Sequence, residues 1–481
     1  MGLVWYRNDR DVVLAALGRG ERPDMATTTA VGPLDELIAL HDELGIFALM
    51  DGMEVTRERS GIPDHLLFRT AATLPFLSEA SLSGTTQTLF NEPAVLLQLG
   101  WAPVYIRSGT NHRHRHPQGR QLVSLPCHPD TLRDALGRTA ESAWDRAQST
   151  GVTTVYRHGI VRGPVYAIDG TGLGNDYRVV AVVCVSSACP IIVAWRVLQW
   201  PASEKGKEAR VTRGLVEDVL ARGGAGCMRL LLADALYADG PLLVWLKYQH
   251  GIDALVALGE KRDLYQDIEH LAAARLIPWS RHEYERTISG HKQKRVVDVA
   301  SVGELTSWQA FVEAARAAGH PEASLWACVI RQVAPPKTKQ EDFALVSTRS
   351  WDDGFVALQA YRPRWHVEDD VFRELKEGWG LEKQRWGRSA AVVRGRVTLT
   401  LLAFNTTQVY RSRAGARLLK MAIRRLRRQY NRQIGRSPVV IYLSGCYGVF
   451  ALEEVLTALG APVADSLLPS VSTELARGPS P

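Results

Sequence analysis

Two aspartates in the middle of the chain each follow a short apolar run and open onto turn residues. Asp169 follows Val165-Tyr166-Ala167-Ile168 and precedes Gly170-Thr171-Gly172; Asp234 follows Leu230-Leu231-Leu232-Ala233 and precedes Ala235-Leu236-Tyr237. A carboxylate closing such a strand is held rigidly by the sheet and still faces solvent. An aspartate there also serves as a turn former or helix cap, so each is ambiguous alone and the matched pair carries the signal. A third acid, Glu368, stands in Tyr361-Arg362-Pro363-Arg364-Trp365-His366-Val367-Glu368-Asp369-Asp370-Val371-Phe372-Arg373-Glu374-Leu375-Lys376. Phe372 and Leu375 follow it by four and seven positions, which predicts one shared helical face, with Lys376 close by at eight. On that apolar stripe Glu368 reads either as the ion-pair partner of Arg364, one turn back, or as a chemical group. Three carboxylates can gather two magnesium ions about 3.5–4 Å apart, which activate a water or a 3′-hydroxyl on one side of a phosphorus and stabilise the leaving oxygen on the other.

The elements around these acids follow one order. Apolar β-rich runs at 165–168, 179–185 and 191–197 predict an antiparallel meander; a helix over 211–221, a strand at 228–233, a helix at 241–250 and a strand at 252–258 follow. This βββαβαβ order sets the first and fourth strands side by side, so Asp169 and Asp234 are expected to converge. It is the ribonuclease-H-like layout, an α/β fold with a mixed sheet and flanking helices. Strands expected at 296–300, 327–333 and 343–347 make 262–350 a β-rich insertion subdomain, and Pro363 marks the first turn of the helix carrying Glu368. The expected organisation is an N-terminal helical region over 1–150, core segments over 160–261 and 351–410, and a basic helical C-terminal region with a frayed tail over 411–481. Within the first of these, 34–49 and 132–147 have helical spacing. The stretch 107–120 reads as an exposed basic loop, whose His112, His114 and His116, with Cys127 and His128 nearby, lack a recognised zinc-ligand spacing.

The segment from Tyr361 to Lys376 resembles the signature helix of insertion-sequence DDE transposases of the cut-and-paste type, in which Tyr, Arg, Glu and Lys recur within one helix. Its Trp365-x-Val367-Glu368-x-x-x-Phe372-x-x-Leu375-Lys376 run is similar to a subgroup with Trp-x-Ile-Glu-Asn. With the two aspartate strands, the resemblance covers residues 163–410. It implies that Asp169, Asp234 and Glu368 are at once the catalytic residues and the ligands of Mg2+, for which Mn2+ substitutes. It further implies that Tyr361, Arg364 and Lys376 touch the DNA backbone near the cut. Such enzymes hydrolyse a strand at the element's end, then use the freed 3′-hydroxyl to attack target DNA, as a homodimer that pairs two ends; the resemblance implies end binding by the N-terminal region 1–150, with the basic C-terminal helix as its competitor. Asp369 stands where the subgroup often has Asn, and its seven-residue spacing to Lys376 matches relatives outside the subgroup, so Asp369 is the alternative third acid.

The distribution of charge points the same way. The formal net charge is +7, yet ten basic residues and no acidic one fall between Arg411 and Arg436, leaving the rest of the chain at −3. Leu419, Ile423, Leu426 and Tyr430 make one helical stripe and Arg413, Arg417, Lys420, Arg424 and Arg428 the adjacent one, so one face is expected to pack and the other to meet the phosphates of double-stranded DNA. A solvated helix face is the plain alternative. Trp365, Trp379 and Trp386 surround the Glu368 helix as packing residues, one of which is placed to stack on a displaced base. Six cysteines without a Cys-x-x-Cys pair argue against a disulfide framework or a zinc ribbon and fit a reducing cytoplasm. No run approaches the ~18 apolar residues of a membrane span, so the expected setting is a prokaryotic cytoplasm, on the nucleoid when DNA is bound. Asp169-Gly-Thr-Gly also resembles the phosphate loop of actin-like sugar kinases, but the duplication such a fold needs is missing. A DNA-binding descendant that no longer cuts would be expected to have lost an acid, and all three remain; a nuclease of the same fold differs only in lacking the joining step.

Overall fold

The computed structural model describes residues 6–28, 34–56, 61–77, 81–85, 89–108, 126–199, 207–259, 262–288, 291–333, 342–383, 386–413 and 439–460. The chain divides into two compact units, Glu141–Lys420 and a second made of Met1–Ala140 with Met421–Pro481. Residues 109–125, which hold most of the stretch expected as a loop over 107–120, and the basic stretch at 414–438 lie outside the described residues.

The larger unit is built on a nine-stranded sheet. Helix α1 (Glu141–Arg157) leads to β1 (Val165–Leu173), β2 (Tyr177–Cys184) and β3 (Ile191–Gln199), then α2 (Thr212–Gly223), β4 (Leu230–Ala233), α3 (Gly240–Val244) and β5 (Asp253–Leu258). β1, β2 and β3 pair antiparallel, whereas β4 pairs parallel with both β1 and β5. Val179 to Cys184 and Leu230 to Ala233 are buried throughout, as central strands covered on both faces must be. Parallel neighbours need a crossover, and α2 and α3 supply the helices for it. This is the ribonuclease-H-like order read from the sequence.

The strands expected as an inserted subdomain instead continue the same sheet. After α4 (Asp263–Ala273) come β6 (Ser280–Ile288), β7 (His291–Leu305), α5 (Gln309–Ala317), β8 (Leu325–Gln332) and β9 (Asp342–Ser347). β9 pairs antiparallel with β5, so the full order is β3-β2-β1-β4-β5-β9-β8-β7-β6. The apolar Ala344 to Val346 run thereby satisfies the backbone that β5 would otherwise leave open at an edge.

At the other edge, side chains do that work. α6 (Gly354–Tyr361) and α7 (Arg373–Glu377) lead to α8 (Ala390–Arg413), which is buried along most of its length. From α8, Asn405 accepts from the Ile192 N–H at 3.0 Å and donates to the Ile192 carbonyl at 2.7 Å. Arg222 donates to the Val193 carbonyl at 2.9 Å and Gln148 to that of Trp195 at 2.8 Å. A bulge opposite Val182 and Val183 sits at this point of β3. An edge strand capped in this way is poorly suited to pairing with another chain.

Pro363 does not open a helix. The helical stretch begins at Gly354, where Asp353 accepts from the Phe355 N–H at 3.1 Å, and runs through a 3-10 turn at Arg362–Arg364 and a π turn at Val367–Phe372 into α7. Pro363 falls inside that 3-10 turn.

The smaller unit joins the two ends of the chain. Its sheet has the order Arg7–Asn8, Cys446–Phe450, Val439–Leu443, Met25–Thr28. Helices Arg10–Gly18 and Leu452–Ala458 cover one face, where Val13 and Leu17 meet Ile441 and Phe450, and on the other Leu97 packs with Val440 and Tyr442. Ser444 and Gly445, at φ 54° and 74°, form the two-residue turn that such a hairpin favours. Both terminal regions, expected from periodicity to be helical, thus contribute strands as well as helices among the described residues. The helix expected over 132–147 is two, Pro129–Arg138 and α1. No helix among the described residues is long and apolar enough to cross a membrane.

Candidate active site

Asp169 lies in mid-strand, where its apolar run alone predicts a strand end. β1 continues to Leu173 against β2, and Asp169 is paired there with Ala181. On its other side β4 stops at Ala233, and the parallel register pairs Ala167 with Leu232. Carried two residues further, that register sets Asp169 level with Asp234. Asp234 caps the 3-10 turn Ala235–Tyr237, accepting from the Leu236 N–H at 2.8 Å. One side chain is thus both a cap and a neighbour of Asp169.

Arg364 connects the third acid. Its side chain is 7% exposed, and one nitrogen, Nη1, donates to Asp169 Oδ2 at 3.2 Å and to Glu368 Oε1 at 3.0 Å. Gly170 N–H donates to Asp169 Oδ1 at 2.7 Å. Glu368 does not sit on the apolar stripe: Val367, Val371, Phe372 and Leu375 are buried, while the Glu368 side chain is 53% exposed. The π turn changes the angular spacing on which the expected face depended. Asp369 pairs with Arg373 at 3.3 Å and Asp370 with His366, so of the three consecutive acids Glu368 is the one that shares a guanidinium with Asp169.

Burial pushes the Asp169 carboxyl up to about 7, with Arg364 opposing the rise and Asp234 adding to it. Burial likewise raises Asp234, against the Leu236 N–H. Negative charge is crowded here in a medium that resists it. The sign of the linkage follows. Without metal, folded Asp169 holds its proton between the ordinary value of 3.8 and about 7, where the unfolded chain has lost it. Its cost to stability is absent below that window, grows as pH rises through it, and is complete above it. In chelator, wild type should lose stability relative to Asp169→Asn as pH rises from 4 to 8. Denaturant midpoints across that range measure it, and a difference that stays flat would contradict the account.

The resemblance implies DNA-backbone contacts for Tyr361 and Arg364, yet both are buried. Tyr361, 2% exposed, donates its hydroxyl to the Ala233 carbonyl at 3.0 Å and so ties the end of α6 to the residue before Asp234. Tyr361→Phe should therefore cost about 1 kcal/mol in unfolding free energy, with DNA affinity unchanged. Loss of DNA affinity at unchanged stability would restore the contact role. Lys376 differs: with Asp169, Thr171, Glu368 and Arg373 it lines a cleft of about 360 Å³. Trp379 and Trp386 are buried packing residues, whereas Trp365 is half-buried, edge-on to Phe343 and Tyr361. Arg417, Lys420, Arg424 and Arg428 lie outside the described residues.

One carboxylate that the motifs do not mark belongs beside this site. Glu208 is 1% exposed and pairs with Arg178 Nε at 2.6 Å. It lies in a stretch whose only sequence character is polarity; the clue to it is Gly170, where a Cβ would overlap its carboxylate. A larger cavity of about 690 Å³ opens at the opposite ends of β1 and β4, among Tyr156, Arg157, Arg222 and Arg229, but none of the three acids lines it. Convergent acids, not size, mark the site.

Among the described residues no three His, Cys, Asp or Glu side chains are gathered closely enough to hold a metal ion as they stand; the charge between Asp169 and Glu368 is the Arg364 guanidinium. The donor set nonetheless suits a hard divalent cation. It is all oxygen, and its two inner acids are raised, Asp169 by burial and by Asp234, and Asp234 by burial and by Glu368.

Comparison with protein-family models matches residues 165–406 to the family described as transposase DDE domain. That span starts at β1 and ends within α8, so it takes in the whole sheet and all three acids. Comparison with curated proteins finds no match.

Proposed function

The chain belongs to the transposase DDE domain family, and on that premise we propose that it cuts DNA strands at the ends of a mobile element and joins the freed ends to target DNA. The observation that carries this reading is the placement of Asp169, Asp234 and Glu368: Asp234, one residue past the end of β4, falls level with Asp169 in the parallel register, and Glu368 shares the Arg364 guanidinium with Asp169. Asp169, Asp234 and Glu368 would hold Mg2+, or Mn2+ in its place. Bound there, the metal supplies activation of the attacking water or 3′-hydroxyl and stabilisation of the leaving oxygen.

The chain's own residues do the rest. β1 and the Gly170 N–H hold Asp169, and the cap to Leu236 fixes Asp234. Glu368, half exposed on a π turn, is the ligand with room to adjust. Arg364 neutralises the acids before metal arrives. Lys376 and Arg373, on the wall of the cleft, meet the phosphate backbone as it enters. The smaller unit binds the element's ends, and Arg417, Lys420, Arg424 and Arg428 add backbone contacts. Two copies pair two ends in the synaptic complex, on the DNA of a prokaryotic cytoplasm.

The test is incubation with DNA carrying the element's own flanking ends, in Mg2+ or Mn2+, with products resolved as nicked, excised and joined. Joined products support transposition. Cutting that never proceeds to joining makes the protein a nuclease, and binding without cutting makes it a DNA-binding descendant.

A further inference from the structure

Glu208 is buried within reach of the acids and has no part in the chemistry described so far. We infer that it is a positioning residue: with Arg178 it braces the backbone beside Asp169 and the turn beside Asp234, so that the two acids keep the separation a divalent metal requires. This rests on reading those acids as metal ligands.

A buried ion pair is a poor way to gain stability, because desolvating each charge costs several kcal/mol that attraction recovers only in good geometry. Its placement is therefore informative. Glu208 lies in a 3-10 turn, Lys207–Val211, just before α2. That turn packs against Ala235–Tyr237, the turn that Asp234 caps. Arg178 stands on β2 opposite Gly172, three residues past Asp169. Between them is Gly170, whose lack of a side chain admits the Glu208 carboxylate. One carboxylate thus lies against the residue after Asp169, and the turn that carries it packs on the turn that Asp234 caps. Groups that hold metal ligands from behind are worth roughly 10–100-fold in metal affinity when removed.

The experiment is Mn2+ binding to the full chain, read by electron paramagnetic resonance, for wild type, Glu208→Gln, Gly170→Ala and Asp169→Ala. Glu208→Gln keeps shape and removes charge. It is expected to weaken Mn2+ binding about tenfold in protein that melts lower but is still folded at the assay temperature, and to recover cutting when Mn2+ is raised. Gly170→Ala, which displaces the same carboxylate, should weaken it similarly. Asp169→Ala should abolish binding; if it does not, the metal-ligand reading itself fails, whatever Glu208 does. If Asp169→Ala abolishes binding and Glu208→Gln leaves it unaltered, the positioning role is overturned. Complete loss of Mn2+ in Glu208→Gln also overturns it, by making Glu208 a ligand. Should Glu208→Gln not fold, Arg178→Lys decides by the same readings.

Discussion

Alanine at Asp169, Asp234 or Glu368 should abolish cutting at the element's ends and leave DNA binding intact. A metal at a phosphoryl centre supplies several kcal/mol of transition-state stabilisation, and each 1.36 kcal/mol is tenfold in rate, so the expected loss is about 10³-fold or more for each variant. Misfolding does not account for that loss at Asp169. Its carboxyl is raised in the folded chain, so it opposes folding at neutral pH, and Arg364 still has Glu368 when Asp169 is gone. Metal-free Asp169→Ala should melt no lower than wild type. Asp369→Ala should keep its cutting, because its charge is engaged by Arg373 and not by the guanidinium that Asp169 shares. The assay is cleavage of labelled end DNA beside a binding titration with the same DNA. If Glu368→Ala cuts and Asp369→Ala does not, the third ligand is Asp369; if all three variants cut, the metal-triad reading is lost.

What the sequence makes legible is what local pattern encodes. The order of β1 to β5 follows from apolar runs buried on both faces and separated by turns such as Gly174-Asn175-Asp176. The convergence of Asp169 and Asp234 follows from that order. The depth of Asp169 within β1 does not, because Gly170-Thr171-Gly172 reads as a turn, although antiparallel pairing with β2 keeps it extended. The orientation of Glu368 is hidden for a different reason: a periodicity argument assumes α-helical winding, and the π turn breaks it. Non-local pairing is the hardest to read. Val440 pairs with Thr27, and β9 with β5, and no local spacing in either partner names the other. Glu208 is of the same kind, since what makes it part of the site is the space above a glycine.

Arg364→Ala should produce the largest loss of stability at this site in metal-free protein. Its charge lowers both Asp169 and Asp234, and its guanidinium also lies 5.6 Å from the centre of the Tyr361 ring. Removing one partner of a buried ion pair leaves an uncompensated charge and typically costs about 3–5 kcal/mol. Here the remaining acid can escape part of that cost by taking up a proton. The sign is therefore fixed: loss of Arg364 pushes Asp169 further up, so the penalty is greatest above pH 7, where Asp169 would otherwise ionise, and smaller toward pH 5. A divalent cation among the same oxygens restores the missing charge. Ligand at a hundred times its dissociation constant adds about 2.7 kcal/mol to the folded state. Mg2+ should accordingly recover more stability in the variant than in wild type, where Arg364 already serves. Denaturant unfolding of both proteins at pH 5.5 and pH 8, in chelator and in Mg2+, separates these terms. A variant as stable as wild type in chelator, but weakened in DNA affinity, would show that Arg364 acts on phosphate alone.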